Sequence, residues 1–233
     1  MGLFLVIMGV QGAGKGTQAT FIAEEYHIPH ISTGELFRAM KTRSDELAQR
    51  VQAILRAGLL VPDDITNAVL LDRLQQPDAG AGAILDGYPR NIAQAEWLGD
   101  HLAQQGEKLA AVLSLDLDPY TAFKRAFGRV SAASGEQYNI YTNNEGLEWR
   151  MVDHPQKEYP ARLEVKLQRT GELLQRRSDD EAVPVIKRID TYLQETAPLL
   201  DYYRGKGLLV QIPADQLIAA VSRDLKRVID AIR

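Results

Sequence analysis

The sequence predicts an α/β fold, a doubly wound parallel five-stranded sheet interrupted by two insertions, and three observations lead there. Short apolar runs rich in β-formers alternate with helical patterns. The first run passes directly into a glycine-rich loop that opens a helix. Two long stretches then break the alternation, one helical and polar, the other irregular and aromatic.

Taken in order, Leu3–Met8 is an apolar run of the kind that forms a strand buried on both faces of a parallel sheet. Gly9–Thr17 follows with the pattern G-x-x-x-x-G-K, and a helix is expected from about Lys15 to Tyr26. In Gly12, Ala13, Gly14 and Gly16 the loop has the small residues that let backbone N–H groups converge on a phosphate. The helix aims its positive end at the same place. Lys15 supplies a mobile cation for terminal phosphates and Thr17 a hydroxyl near a metal, although Gly16 stands where the commonest form has Ser or Thr.

Pro29–Ser32, Ala83–Leu85, Ala110–Leu117 and Leu208–Ile212 are the further strand candidates. Helices are expected over Asn91–Gln105, Pro119–Gly128 and Asp215–Ile232. From Gly34 to Gln76 the chain reads as helical, with breaks at Gly58 and Pro62. From Arg129 to Asp180 it is punctuated by Gly135, Gly146, Pro155, Pro160 and Gly171, and segments such as Gln137–Tyr141 read as short strands. A doubly wound sheet binds its ligands beyond the carboxyl ends of its strands.

Composition narrows the function. At 233 residues there is room for one sizeable core and a smaller appended unit. A net charge of −4 gives no global basic footprint, so no nucleic-acid partner is expected. The absence of cysteine excludes disulfides and cysteine-based zinc sites. The N-terminal apolar run leads straight into the phosphate loop and reads as a core strand, not a signal peptide. No window approaches the roughly 20 apolar residues of a membrane helix. A cytoplasmic enzyme without membrane attachment is the expected class.

The remaining motifs carry a resemblance. They are Gly9–Thr17, the run Ile31 to Arg38, the run Leu85 to Arg90 with Gln94, Arg125-x-x-Gly128-Arg129, and Thr170-Gly171-Glu172 leading to Arg177–Asp180, then Arg188 and Tyr192. In this order and spacing they resemble the adenylate kinase family of nucleoside monophosphate kinases over nearly the whole chain. The resemblance implies a core of residues 1–33, 77–128 and 181–233, an AMP-binding unit at 34–76 and a lid at 129–180. It implies a monomer that transfers a phosphoryl group from ATP to AMP, giving two ADP, with Mg²⁺.

By resemblance, Lys15, Arg90, Arg129, Arg177 and Arg188 form the catalytic cage. Arg38 and Arg90 hold the AMP phosphate, with Arg177 and Arg188 closing on the transferring group. Thr33, Gly34, Gly87, Tyr88, Pro89 and Gln94 line the acceptor site, Gln94 offering an amide donor and acceptor to adenine. Leu59, Leu60 and Val61 form its apolar edge. ATP is expected at the phosphate loop, with Arg125, Arg129, Gln137, Tyr138 and Gln216. Asp86, and Glu35 beside it, would organise the water shell of Mg²⁺. An acceptor such as UMP or CMP is the alternative within this class. A P-loop nucleotide-binding or regulatory protein is the alternative outside it.

Several residues depart from the family pattern. Gln11 stands where proline is usual. Cysteine-free lids of this family hold a His-Ser-Asp-Thr network instead of zinc; here Ser134 and Thr170 supply two members while Ser131 and Leu167 fall at the other two. The network is expected to be broken. Asn139–Lys166 has no clear family counterpart, and Pro213–Gln216 replaces the usual Asp-Gly turn near the ATP adenine. Asp179 and Asp180 read as partners of neighbouring arginines, with solvated turn residues as the alternative.

Overall fold

The computed structural model describes residues 2–57, 61–152, 162–177 and 180–233. Gly58, Leu59, Leu60, Pro155, Pro160 and Asp179, on all of which the sequence raised expectations, lie outside the described residues. The chain divides into two compact units, Met1–Gly9 with Gly14–Asp116 and Glu195–Arg233, and Val10–Ala13 with Leu117–Gln194.

The first unit is built on a five-stranded, all-parallel sheet of β1 (Leu3–Met8), β2 (His30–Ser32), β3 (Gly82–Asp86), β4 (Leu109–Asp116) and β9 (Leu209–Pro213). The strand order is β2-β3-β1-β4-β9. Its helices are α1 (Lys15–Tyr26), α2 (Thr33–Met40), α3 (Glu46–Arg56), α4 (Asp63–Leu74), α5 (Ile92–Gln104), α8 (Pro198–Gly205) and α9 (Ile218–Ile232). Successive side chains of β1 point to opposite faces. Phe4, Val6 and Met8 join a cluster with Leu70 of α4, Leu98 and Leu102 of α5 and Leu199 and Tyr203 of α8. Leu5 and Ile7 are equally buried, and α1 and α9 pack together against the sheet. Gln18, buried on α1, links this pair: its amide donates to the Ile218 carbonyl and accepts from Ser222. Both faces of the sheet are therefore covered, as its run of apolar strands requires.

Between β2 and β3, helices α2 to α4 share a core of their own, made of Met40, Ala48, Val51, Ile65 and Val69 with Val61 packed against it. The last helix starts three residues later than the sequence pattern suggests. The Ala214 amide donates to the Asp116 carbonyl, and the Gln216 side chain turns back onto the Pro213 carbonyl and Asp224. The chain therefore turns through this stretch before it coils.

The second unit holds α6 (Pro119–Phe127), α7 (Ala182–Thr191) and two antiparallel ribbons. In the first ribbon β5 (Arg129–Ser131) pairs with β6 (Gln137–Asn139). In the second, β7 (Leu147–Val152) pairs with β8 (Arg162–Leu167). Phe127, Val130, Ile140, Leu163, Val165, Leu167 and Leu174 form the apolar cluster beneath them. Leu167, where the family's polar network would have a member, is thus a core residue. Among the described residues Ser134 and Thr170 make local contacts, accepting from the amides of Glu136 and Glu172.

Candidate active site

The carboxyl ends of three neighbouring strands define the site of the first unit. Ile7 of β1 and Ser32 of β2 are both in register with Asp86 of β3. Neighbouring strands lie about 4.8 Å apart, so the chain leaves β1 and leaves β3 at adjacent points of the same edge. After β1, Lys15 folds back and donates from Nζ to the Gly9 carbonyl at 2.7 Å. Gly16 and Thr17 are exposed at the start of α1.

After β3 comes a turn held by its own hydrogen bonds. Gly87 sits at φ 79°, and a Cβ there would lie 2.8 Å from the Thr33 hydroxyl. That hydroxyl donates to the Gly87 carbonyl at 3.0 Å, and Nε of Arg90 donates to the same oxygen at 2.9 Å. One carbonyl therefore fixes both the start of α2 and the direction of an exposed guanidinium. The Tyr88–Pro89 peptide is cis. Tyr88 is only 1% exposed, its hydroxyl donating to Asn67 and the Gln94 carbonyl. Burial holds this phenol well above its ordinary pKa, and its ring packs into the core cluster.

Gln94, 4% exposed, is held at both ends of its amide. Oε1 accepts from the Arg90 main chain at 2.8 Å, and Nε2 donates to Asp63 at 2.6 Å. Asp63 also accepts from Asn91, the cap of α5, which in turn accepts from the Gln94 amide. One hydrogen and one lone pair of the Gln94 amide remain beyond these bonds. Sequence reasoning passed over Asp63 and Asn67; the only signal was the Pro62-Asp63-Asp64 start of a helix.

Asp86, its side chain 15% exposed, stands 3.4 Å from His30 Nε2. Arg38 is 63% exposed and 3.9 Å from the equally open Glu35, while Gly34 lies close beneath its guanidinium. Gln216 spends its side chain on the Pro213 carbonyl and Asp224, so its main chain is what that position offers a ligand.

In the second unit Gly12 lies at φ 92°, and a Cβ there would come within 2.4 Å of the Ala122 carbonyl of α6. Only glycine fits that approach. Ala13 is buried and its amide donates back to the Val10 carbonyl. Arg129, at the start of β5, is gripped by Asp180: Nε and Nη2 donate to its two oxygens at 2.9 and 2.7 Å. Asp180 is 0% exposed, so it is an arginine partner and not a solvated turn residue. The Asn139 amide donates to the Arg125 carbonyl, and Arg188 donates to Gln11. Arg177 is exposed. Its neighbour Arg176, which the sequence did not single out, is mostly buried and structural, donating to Glu181 and to the Phe127 and Asp180 carbonyls. Gln137 donates to Ser131, and Tyr138 is half-buried with its phenol between Glu136 and Arg169.

Comparison with known proteins agrees with this geometry. A family model described as adenylate kinase matches residues 7–208. The adenylate kinase of Streptomyces coelicolor is 41% identical over 229 residues, 98% of this chain and 98% of its own length. That of Caldanaerobacter subterraneus is 40% identical over 224 residues, covering 96% and 94%, and that of Symbiobacterium thermophilum 38% over 232, covering 99% and 100%. Matches of this depth, laid over a parallel sheet whose first strand runs into a glycine-rich loop, show that the chain is an enzyme belonging to the adenylate kinase family.

Proposed function

We propose that this enzyme transfers the terminal phosphoryl group of ATP directly to AMP, in line, yielding two ADP. The observation that carries the reading is the shared register of Ile7, Asp86 and Ser32. It runs the chain leaving β1 toward Lys15 beside the turn that carries Arg90, an arrangement that suits one nucleotide's phosphates at the first and another's at the second. A one-nucleotide switch has no use for the second.

The acceptor phosphate is already anionic near neutral pH, its second pKa being about 6, so no general base is required. The work is positioning and charge. Arg38 and Arg90 bind the acceptor phosphate. Lys15 follows the migrating group, and Arg125, Arg129, Arg177 and Arg188 supply positive charge to the triphosphate and the transition state. Planar guanidinium forks suit bidentate contact with phosphate oxygens. Residues 34–76 act as the acceptor-binding unit and 129–180 as a lid that excludes water.

The half-buried carboxylate of Asp86, at the carboxyl edge of the sheet, and the exposed Thr17 hydroxyl suit Mg²⁺, a hard ion that keeps most of its waters. When bound, it would offset charge on the phosphate oxygens. We read the enzyme as a cytoplasmic monomer; among the described residues no helix is long and apolar enough to cross a membrane.

The test is ADP formation from Mg-ATP with AMP, CMP, UMP, GMP or no acceptor. Fast turnover with AMP alone is expected. Preference for a pyrimidine acceptor would move the enzyme to a sister activity, and acceptor-independent hydrolysis would remove the transferase reading.

A further inference from the structure

Position 11 sets this phosphate loop apart, because the side chain there is neither small nor a proline. Oε1 of Gln11 accepts from Nη1 of Arg188 at 3.3 Å. A guanidinium only donates, so the oxygen end of the amide must face it and the NH₂ end must face away. That nitrogen is shut off from solvent and has no hydrogen-bond partner among the described residues. Buried donors without acceptors are rare in folded proteins because each forfeits its hydration. This one belongs to the loop between Val10 and Gly12, where small residues bring main-chain N–H groups together.

We propose that Gln11 is a positioning residue for Arg188, holding the guanidinium through Oε1 while Nε2 donates to a phosphate oxygen of the donor nucleotide. The inference rests on the phosphoryl-transfer reading and names a further recognition group for its triphosphate. One planar amide then couples the two partners: the cation on one side and the anion on the other are set at a fixed separation before transfer. Proline, lacking both amide ends, cannot make that link. The arginine in such an enzyme would have to be placed by other means.

The test is a double-mutant cycle on the full chain. Affinity for a non-hydrolysable Mg-ATP analogue is measured by calorimetry, and kcat and KM with AMP are measured in parallel. Wild type, Gln11→Leu, Arg188→Ala and the double variant are compared. Gln11→Leu should weaken the analogue about tenfold, the scale of a hydrogen bond to a charged group, and leave the KM for AMP within about twofold. In the Arg188→Ala background the same change should cost less than about threefold, since the coupled partner is gone. Gln11→Glu, which keeps oxygens for Arg188 but loses the donor and adds negative charge, should bind the analogue more weakly than Gln11→Leu. An undiminished tenfold loss without Arg188 would overturn the proposal, as would wild-type affinity in the Glu variant. So would a joint fall in melting temperature and AMP affinity, which marks a merely structural role. If the wild type proves to use another acceptor, the acceptor assignment fails while the analogue cycle still decides the role of Gln11.

Discussion

The two units present their cations in opposite ways. In the first, main-chain carbonyls direct Lys15 and Arg90: Gly9 receives one and Gly87 the other. In the second, Arg129 is held by both oxygens of a fully buried carboxylate. A main-chain carbonyl orients a cation through a dipole. A buried carboxylate orients it through a full opposite charge, so on the proposed reading an incoming phosphate would compete with Asp180 for Arg129. The difference teaches that one enzyme can aim its cations by two means, a carbonyl dipole in one unit and a buried countercharge in the other.

The largest expected effect strikes the carbonyl-directed cations. Arg90→Ala and Lys15→Ala should each lower kcat by about a thousandfold or more, with circular dichroism and melting unchanged. Activity within tenfold of wild type would strip the carbonyl-directed cations of catalytic meaning. Next comes the support of the carboxylate-held cation. Leu167→Ala should cost the second unit about 2–4 kcal/mol in equilibrium unfolding and speed hydrogen exchange in β5 to β8 before the central sheet. Simultaneous loss of both would show that the two units do not differ in support.

Asp180→Asn should be milder. It removes the charge from a pair whose arginine is about one-third exposed, and a cost of about 1–3 kcal/mol is expected by chemical denaturation. No change would mean that the carboxylate does not restrain Arg129. The smallest effect is acid sensitivity. Bonds from Arg43, Arg73 and Tyr26 hold Asp45, Asp78 and Asp230 of the first unit below the usual carboxylate range, and the Thr121 amide does so for Asp118 of the second. A lowered carboxylate pKa contributes stability above the unfolded value, about 3.9, and loses it as pH falls through the folded one. Melting temperature should stay level from pH 7 to about 5 and then fall, chiefly in the first unit. A decline beginning near pH 6 would assign the sensitivity to other groups.

What the sequence made legible was local. Strands buried on both faces announce themselves as apolar runs, and Gly9–Thr17 carries its chemistry within nine consecutive residues. Pairings across long stretches of chain were not visible. Asp180 meets Arg129 across 51 positions, and nothing in its own neighbourhood distinguished it from a solvated turn residue. The adjacent Arg176 and Arg177 look alike in sequence, yet one is mostly buried against Phe127 while the other is exposed. In sequence Gln94 reads as a base contact; the structure adds a second task that the sequence does not show, clamping the Arg90 main chain to Asp63. Propensity speaks to the element a residue joins; which partner it meets is decided by tertiary folding.

The hydrocarbon cluster around Leu163, Val165 and Leu167 has a thermal consequence. Burial of this kind is driven largely by the entropy of water near room temperature and weakens on cooling. Cohesion of the second unit therefore follows the thermometer. Thiol oxidants find no target in a chain without cysteine. Cold is the condition under which this part of the enzyme should loosen first.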